Sequence, residues 1–442
     1  MLCKKLAEAS IVGIGIMQDR RDIKTETRLN ESGNGLFFEI RQLGKKQRAI
    51  VGAAFLGWSL DAFDFFLLVF VLKDVARTYH VTLTEVTLAL FLTLAARPVG
   101  ALIFGRLADR VGRKPVLMAV VALYPFFAFL SALAPSIGTF LLLRTLFGVA
   151  MGGEWGAGAS LVMESIPPGC RGVVSGILQA GYPFGYLLAA LAYAWIYPLA
   201  GWRGLLMLGI LPAFIVFLVR RQVPESAAFS DKRESVAPSK EGILRQSWRT
   251  GLFAILLMTA FNFLGHGTQD LYPTLLETMR GLTPREVGGI AVFYNIGAVL
   301  GGIFLGAVSE RIGRRRAILY AAIAAMAVLP FWGFAGSIGS IAVGAFLMQC
   351  AVQGAWGVIP AYLNEISPPA LRGTFPGVVY QTGNLLAAAN APLQSHVARN
   401  LGGRLDLALV GVAGVAALSI ALLIGRGPER RGEILHCHDL QT

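Results

Sequence analysis

The sequence predicts an all-α integral membrane protein in which twelve transmembrane helices form two parallel six-helix repeats. Hydrophobic residues make up 55% of the 442 residues and charged residues only 15%, whereas a soluble domain averages about 25% charged residues. Apolar runs of about 20 residues recur along the chain, and each is long enough to cross a bilayer core as a helix. A charged segment also occurs twice, at an offset of 201 residues.

The apolar runs give the order of the elements. The twelve predicted spans are 50–72, 84–105, 114–134, 137–163, 172–196, 203–220, 250–274, 285–308, 316–335, 338–363, 373–396 and 404–425. Six spans precede a polar link and six follow it. The predicted domains are therefore a cytoplasmic leader (1–47), an N-terminal bundle (48–220), a linker (221–249), a C-terminal bundle (250–426) and a cytoplasmic tail (427–442).

The repeated segments, residues 105–114 and 306–315, are two charged islands with one pattern. The offset pairs Gly105 with Gly306, Asp109 with Glu310, Arg110 with Arg311, Gly112 with Gly313, and Arg113 with Arg314. It also pairs Trp155-Gly156 with Trp356-Gly357 and Glu164 with Glu365. Because six spans is an even number, both copies enter the membrane with the same orientation, and a substrate path is expected between them. We interpret the islands as a cytoplasmic gate whose contacts form in one conformation and separate in another.

The net charge of +13 is distributed in a way that indicates membrane topology rather than nucleic-acid binding. Arginine and lysine crowd the leader, both islands, the linker and the chain end, whereas the loops at 134–138 and 335–339 carry no charge. Basic loops stay in the cytoplasm. We therefore expect a multi-pass protein of the inner membrane with both termini inside.

Patterns typical of enzymes, cofactors and metal sites are absent from the sequence. The chain lacks the Gly-x-x-x-x-Gly-Lys-Ser/Thr loop of ATP-driven proteins, its four cysteines have no metal or redox spacing, and its five histidines are scattered. We expect no enzymatic activity, no cofactor and no metal. A membrane sensor would usually carry a sizeable soluble domain, and the longest soluble segments here are the leader and the linker.

Span one carries two carboxylates, Asp61 and Asp64, in its middle. A charged residue at mid-helix costs about 2.5–3.5 kcal/mol on insertion scales, so each is a functional candidate. Their spacing of three places them on one helix face. Two close carboxylates in a low-dielectric site favour protonation of one of them, so the pair is a candidate for proton or substrate handling. The alternative is that one of them only pairs with a basic group on a neighbouring helix.

Span seven carries a polar stripe on an otherwise apolar helix. Its members, which fall within roughly 100° of arc, are Asn262, His266, Gln269 and Asp270. Such a stripe faces a cavity or another helix rather than lipid. His266 can change charge near neutral pH, and Asp270 one turn away favours the charged form.

Five further spans carry polar candidates. Arg97 in span two and Arg144 in span four compete as partners for a substrate carboxylate, since a guanidinium binds a carboxylate through two hydrogen bonds. Glu154 in span four can relay a proton or balance an arginine. Gln349 and Gln353 in span ten, Gln381 and Asn384 in span eleven, and Tyr182 and Tyr186 in span five are weaker candidates, because helix-to-helix hydrogen bonding explains the amides equally well.

The doubled island with twelve spans, and Pro224-Glu225-Ser226 after span six, resemble the major facilitator superfamily over residues 48 to 428. Span seven narrows the resemblance to the sialate:proton symporter family, which includes lactate/pyruvate:proton symporters. The matching residues are Asn262, His266, Thr268, Gln269, Asp270 and Thr274. Gly265 departs from that pattern, because a hydroxyl residue is expected there. The run around Asp61 and Asp64 is similar to this family, and Arg144 resembles the span-four arginine of proton-coupled members.

The resemblance implies symport of a small carboxylate with a proton by alternating access. Asp61, Asp64, Glu154, His266 and Asp270 are the candidates for proton coupling. The candidates for substrate binding are Arg97, Arg144, Asn262, Gln269, Gln381 and Asn384. The expected partners are the carboxylate, the proton and the lipid bilayer, and a monomer suffices. A different cargo, such as a sugar, an aromatic acid or a drug, would use the same scaffold.

Overall fold

Helices account for almost all of the computed structural model, which describes residues 43–81, 83–210, 214 and 240–431. The helices are α1 (Lys45–Tyr79), α2 (Leu83–Val111), α3 (Arg113–Ala132), α4 (Ile137–Gly152), α5 (Glu154–Ser165), α6 (Arg171–Leu208), α7 (Lys240–Gln269), α8 (Tyr272–Arg280), α9 (Pro284–Ile312), α10 (Arg314–Phe334), α11 (Ile338–Ile366), α12 (Phe375–Ala387), α13 (Asn390–Asn400) and α14 (Leu405–Arg426). No strand occurs among the described residues. The all-α fold class is confirmed.

Ten stretches of these helices are long and apolar enough to cross a membrane, and they coincide with ten of the twelve predicted spans. Half of predicted span 203–220 lies outside the described residues, and α6 continues past a kink at Gly201 into its beginning. The calls on the leader up to residue 42, on Pro224-Glu225-Ser226, on most of the linker and on the tail beyond Arg431 also fall outside them.

Predicted span 373–396 is divided into two helices, α12 and α13, instead of forming one long helix. The helical hydrogen-bond pattern is interrupted at Ala388 and Ala389, between α12 and α13, although both residues keep right-handed helical backbone angles. Proline lacks a backbone N–H and restricts the residue before it, so Pro392 at the third position of α13 favours a break here. Span seven is interrupted in the same way between α7 and α8, where Pro273 lies in the first turn of α8.

Glycines allow the two halves to pack closely at the end of the bundle that carries the islands, which we call the island end. A side chain at Gly105 would lie 2.9 Å from the Cα of Thr374, at the start of α12. Its repeat partner Gly306 lies against Gly172, at the start of α6. These paired contacts join α2 to α12 and α9 to α6 with the symmetry that the repeat predicts.

Candidate functional site

A small cavity lies between the two halves near the middle of the helices. Its volume is about 40 Å³, and its lining residues are Gln179, Tyr182, Asn262, Gly265, His266, Gln269, Gln353, Trp356 and Tyr380. Residues of both halves therefore face one another across it. Ligand pockets usually measure about 300–1,000 Å³, so the cavity in this conformation is smaller than a typical ligand pocket.

His266 and Asp270 form the polar pair of the cavity. Nδ1 of His266 lies 3.1 Å from Oδ1 of Asp270, one helical turn further along. Their side chains are 27% and 39% exposed, which makes them the accessible part of the stripe. Asn384 of α12 also hydrogen-bonds His266. The pair can thus exchange a proton with water while its geometry is held by a neighbouring helix.

The remaining members of the stripe are held by α7 and α11. Nε2 of Gln269 donates to Oε1 of Gln349 at 2.8 Å, and Nε2 of Gln349 donates to the Thr268 hydroxyl at 3.2 Å. Asn262 donates to the Met258 carbonyl of its own helix, 2.8 Å away. The bonds made by Gln269 and Gln349 fix the orientation of α7 against α11, whereas the bond made by Asn262 stays within α7.

Gly265, which departs from the family pattern, lies against an indole ring. A Cβ at this position would lie 3.2 Å from Nε1 of Trp356. A hydroxyl side chain would therefore crowd that ring. The exchange of a hydroxyl residue for glycine makes room for the large aromatic side chain on α11.

An aromatic cluster, formed by Trp58, Trp155, Tyr182, Trp356 and Tyr380, surrounds this side of the cavity. The Tyr380 ring lies 4.6 Å from the Trp155 ring and 5.6 Å from the Trp356 ring. Trp155 and Trp356 are repeat partners, so one tyrosine lies between equivalent tryptophans of the two halves. Sequence reasoning missed this cluster, although the matched Trp-Gly pairs were its visible signal.

Arg97 lies beside the cavity, although it is not among the lining residues. The side chain is only 3% exposed, and its guanidinium donates to Sδ of Met151 at 2.7 Å. It is close enough to Tyr182, His266 and Tyr380 to interact with each electrostatically. Asp61, itself buried, neighbours the same two tyrosines. Arg97 is thus a buried cation next to residues that face the cavity.

Arg144 belongs to a different neighbourhood, inside the N-terminal half. It is fully buried between the rings of Phe140 and Phe147, at 5.6 and 5.1 Å, and its charged neighbour is Asp64. Among the described residues, neither carboxylate oxygen of the buried Asp64 has a hydrogen-bond partner, and Glu154 also interacts with it electrostatically. The structure therefore places Asp64, Arg144 and Glu154 together, away from the cavity lining.

Three weaker candidates, Gln381, Asn384 and Tyr186, also lie outside the lining. Nδ2 of Asn384 approaches Oε1 of Gln381 at 3.5 Å, and both side chains are buried. Tyr186 packs its ring on Phe66 at 4.6 Å. Gln381 and Tyr186 thus support their helices, whereas Tyr182 and Gln353 line the cavity as the sequence predicted.

The first charged island binds the start of a helix of the other half and so holds the two halves together at the island end. The carboxylate of Asp109 accepts hydrogen bonds from the Gly373 N–H, at 2.9 Å, and from the Thr374 hydroxyl, just before α12. Arg113 lies 3.3 Å from Asp109 and 3.1 Å from Glu164. Anions are favoured at helix N-termini, so this contact stabilises the closed arrangement.

The second island makes the reciprocal contact. The carboxylate of Glu310 accepts a hydrogen bond from the Gly172 N–H in the first turn of α6. Arg314 lies 3.0 Å from the Glu310 carboxylate and donates two hydrogen bonds, of 3.2 and 3.0 Å, to Glu365. We call these two contacts the latches. Glu164 and Glu365 were noted in the sequence only as a matched pair, and the structure assigns them to the island arginines.

The remaining island residues differ in position. Gly112 and Gly313 have φ values of 110° and 94°, which side chains rarely adopt, so each island needs glycine to join its two helices. Arg110 and Arg311 are exposed at the surface. They lie beside the latches rather than in the acid–helix contacts themselves.

Comparison with known proteins agrees with this geometry. The model of the Major Facilitator Superfamily matches residues 54–283 and 262–435. The sialic acid transporter NanX of Escherichia coli is 26% identical over 87% of this chain and 95% of its own, and a probable 4-methylmuconolactone transporter of Cupriavidus pinatubonensis is 28% identical over 88% and 92%. The fold of the proton:xylose symporter XylE superposes with a TM-score of 0.72 at 18% identity, covering 88% of this chain and 97% of that one. The chain is a multi-pass membrane protein of the secondary transporter class and belongs to the Major Facilitator Superfamily.

Proposed function

We propose that the protein carries a small carboxylate across the membrane together with a proton, by alternating access between the bundles 48–220 and 250–426. One observation carries the proposal: a buried arginine interacts electrostatically with residues that line the central cavity, and one of these residues, His266, is paired with a carboxylate. The arginine supplies the charge that a carboxylate needs, and the pair supplies a site for the proton. The sialic acid transporter among its relatives supports an acid as cargo.

Arg97 is the better candidate for the substrate carboxylate. It neighbours three residues that line the cavity, and a guanidinium–carboxylate pair is strong in a dry site. Arg144 already faces Asp64 within its own bundle. Lactate, pyruvate and sialate each offer the one carboxylate that this arrangement requires.

His266 and Asp270 are the candidates for proton uptake from the accessible side. Protonation of the pair reduces its negative charge, which favours entry of an anion next to it. Asp61, near the same tyrosines as Arg97, can accept the proton within the site. Asp64 and Glu154 lie further inside the bundle, where Asp64 interacts with Arg144 and Glu154 interacts with Asp64.

The island end is the cytoplasmic end in this proposal, with both termini inside the inner membrane. The concentration of arginine and lysine at that end supports this orientation. With the latches formed, the cytoplasmic side is closed and the His266–Asp270 pair faces the outside. A monomer then completes the cycle by breaking both latches after the substrate and proton are bound.

Carboxylate accumulation driven by an inward proton gradient is the expected result in proteoliposomes containing the purified protein. One proton with one monoanion moves no net charge, so the pH gradient should drive uptake and membrane voltage should not, although voltage acts at about 2.3 kcal/mol per charge per 100 mV. The combined substitutions His266→Ala and Asp270→Asn should reduce accumulation of labelled lactate or sialate to the equilibrium level.

The exposed His396, which is bonded to Asn400, provides the matched control. His396→Ala should keep full gradient-driven accumulation. Unchanged accumulation and unchanged pH dependence in the His266/Asp270 variant would assign the pair a structural role. Uptake driven by voltage alone, without a pH gradient, would exclude one-to-one coupling.

An aromatic acid is a second candidate cargo, and the aromatic cluster favours it. Flat rings stack on aromatic side chains, and such pairs contribute about 0.5–1.5 kcal/mol beyond area burial. We expect benzoate to compete with the transported acid about 2- to 10-fold better than cyclohexanecarboxylate, which has the same charge and a puckered ring. Tyr380→Leu should remove this preference, and Tyr380→Phe should keep it. Equal competition by both acids in the unmodified protein would exclude stacking as a source of selectivity.

A further inference from the structure

Another cavity lies at the island end, within the C-terminal half. Its volume is about 520 Å³, and it opens between the start of α10 and the end of α14. The residues that line it are Ile312, Gly313, Arg315, Arg316, Leu319, Ile424, Gly425, Glu429 and Arg431. We call it the arginine pocket.

The pocket has an excess of positive charge, because its one acidic residue, Glu429, already accepts hydrogen bonds from the backbone. Glu429 accepts hydrogen bonds from the backbone N–H groups of Arg314, at 3.3 Å, and Arg315, at 2.9 Å, in the first turn of α10. Three arginine side chains line the pocket together with this single carboxylate. The pocket is therefore complementary to an anion.

Two of the arginines are held in place by backbone carbonyls. Nε of Arg315 donates to the Ile424 carbonyl at 3.0 Å, at the end of α14, where a helix dipole favours a cation. Nη1 of Arg431 donates to the Arg311 carbonyl at 2.8 Å. Arg316 is exposed on the first turn of α10. The basic groups are thus largely positioned before any ligand arrives.

One wall of the pocket is apolar and continues along the outer face of the bundle. Ile312, Leu319 and Ile424 supply the wall. Beyond it, α10 exposes Tyr320 and Ile323, and α14 exposes Leu418 and Leu422. A basic pocket at the end of an exposed apolar strip fits a molecule with an anionic head and a long apolar chain.

We propose that the arginine pocket binds the phosphate headgroup of an anionic phospholipid, whose acyl chain lies along α10 and α14. Arginine binds phosphate through paired hydrogen bonds, and basic pockets between membrane helices bind anionic headgroups. The start of α3, the equivalent of the start of α10, differs in sequence: Lys114 and Pro115 stand where Arg315 and Arg316 stand in the second half.

The position of the pocket connects lipid binding to the second latch. Its wall includes Gly313 and Arg315, which flank the latch arginine Arg314. A headgroup held there restrains the loop that places Arg314 against Glu310 and Glu365. The bound lipid therefore stabilises the conformation in which this latch is closed, by its differential affinity for the two states.

The test compares the melting temperature of the purified full-length protein in detergent with added phosphatidylglycerol, phosphatidylcholine or inorganic phosphate. Phosphatidylglycerol should raise the melting temperature of the unmodified protein more than phosphatidylcholine does, and inorganic phosphate should have no such effect. The double variant Arg316→Ala, Arg431→Ala should lose affinity for phosphatidylglycerol by about fivefold for each arginine removed.

The matched control removes two exposed arginines elsewhere. Arg77→Ala with Arg249→Ala should keep the response to phosphatidylglycerol, because both side chains lie outside the pocket. Equal responses to the two lipids in the unmodified protein, or a full response in the Arg316/Arg431 variant, would overturn the proposal. A response reproduced by inorganic phosphate alone would make the pocket a site for free anions and would also overturn it. Each readout is independent of the transported substrate.

Discussion

Carboxylate uptake at subsaturating substrate is expected to fall about 10- to 100-fold when Arg97 is replaced by glutamine. Hydrogen bonds to charged groups contribute about 1.5–3 kcal/mol, and Arg97 is the buried cation beside His266, Tyr182 and Tyr380. The glutamine keeps hydrogen-bonding ability and most of the length while removing the charge. Initial rates of labelled uptake in proteoliposomes, measured across substrate concentrations, test this expectation.

Two comparison variants separate charge from geometry. Arg97→Lys should recover part of the uptake, because an ammonium keeps the charge but loses the paired hydrogen bonds. Arg77→Gln should leave uptake unchanged, since the Arg77 side chain is 85% exposed. If Arg97→Gln transports the acid at the normal rate, another group binds the carboxylate and the assignment of Arg97 is wrong.

Loss of Arg314 should destabilise the folded protein by about 3–5 kcal/mol, the usual cost of removing one partner from a buried ion pair. Arg314 and Glu365 are both fully buried, and Arg314 also binds Glu310. Alanine at this position leaves Glu365 without its guanidinium in a low-dielectric site. A large fall in the melting temperature of Arg314→Ala in detergent is the expected measurement.

Removing the second charge should reverse part of this loss. In Arg314→Ala with Glu365→Ala, no carboxylate remains at position 365, so the melting temperature should lie above that of Arg314→Ala alone. Arg311→Ala, at an exposed arginine of the same island, serves as the control and should melt close to the unmodified protein. A double variant no more stable than Arg314→Ala would show that the arginine acts through packing rather than through charge.

The sequence predicts the fold well because the bilayer constrains composition so strongly. A helix that crosses the membrane must be apolar over about 20 residues, and ten predicted spans reappear as helices that satisfy this condition. The repeat offset also identifies Asp109 and Glu310 as equivalent. The donors to these carboxylates, at the starts of α12 and α6, could not be predicted because helix contacts depend on packing that periodicity does not encode.

The candidate site was predictable as a set of residues but not as an arrangement. The stripe on α7 was visible because polar residues are costly in lipid, and His266 and Asp270 do pair. Arg97 and Arg144 were equivalent in the sequence, since each is one cation within an apolar run. Only packing separates them: Arg144 turns toward Asp64 within its bundle, whereas Arg97 lies next to the cavity.

The reciprocal latches have a consequence for how such a protein evolves. Each latch joins an acid of one half to a helix start of the other, so the closed state is held by two separately encoded contacts of the same type. A substitution in one island weakens one contact and leaves the other intact. The closed conformation then becomes less stable relative to the open one, without being lost. Substitutions in the islands can therefore change the rate of the conformational change without any substitution among the residues that line the central cavity.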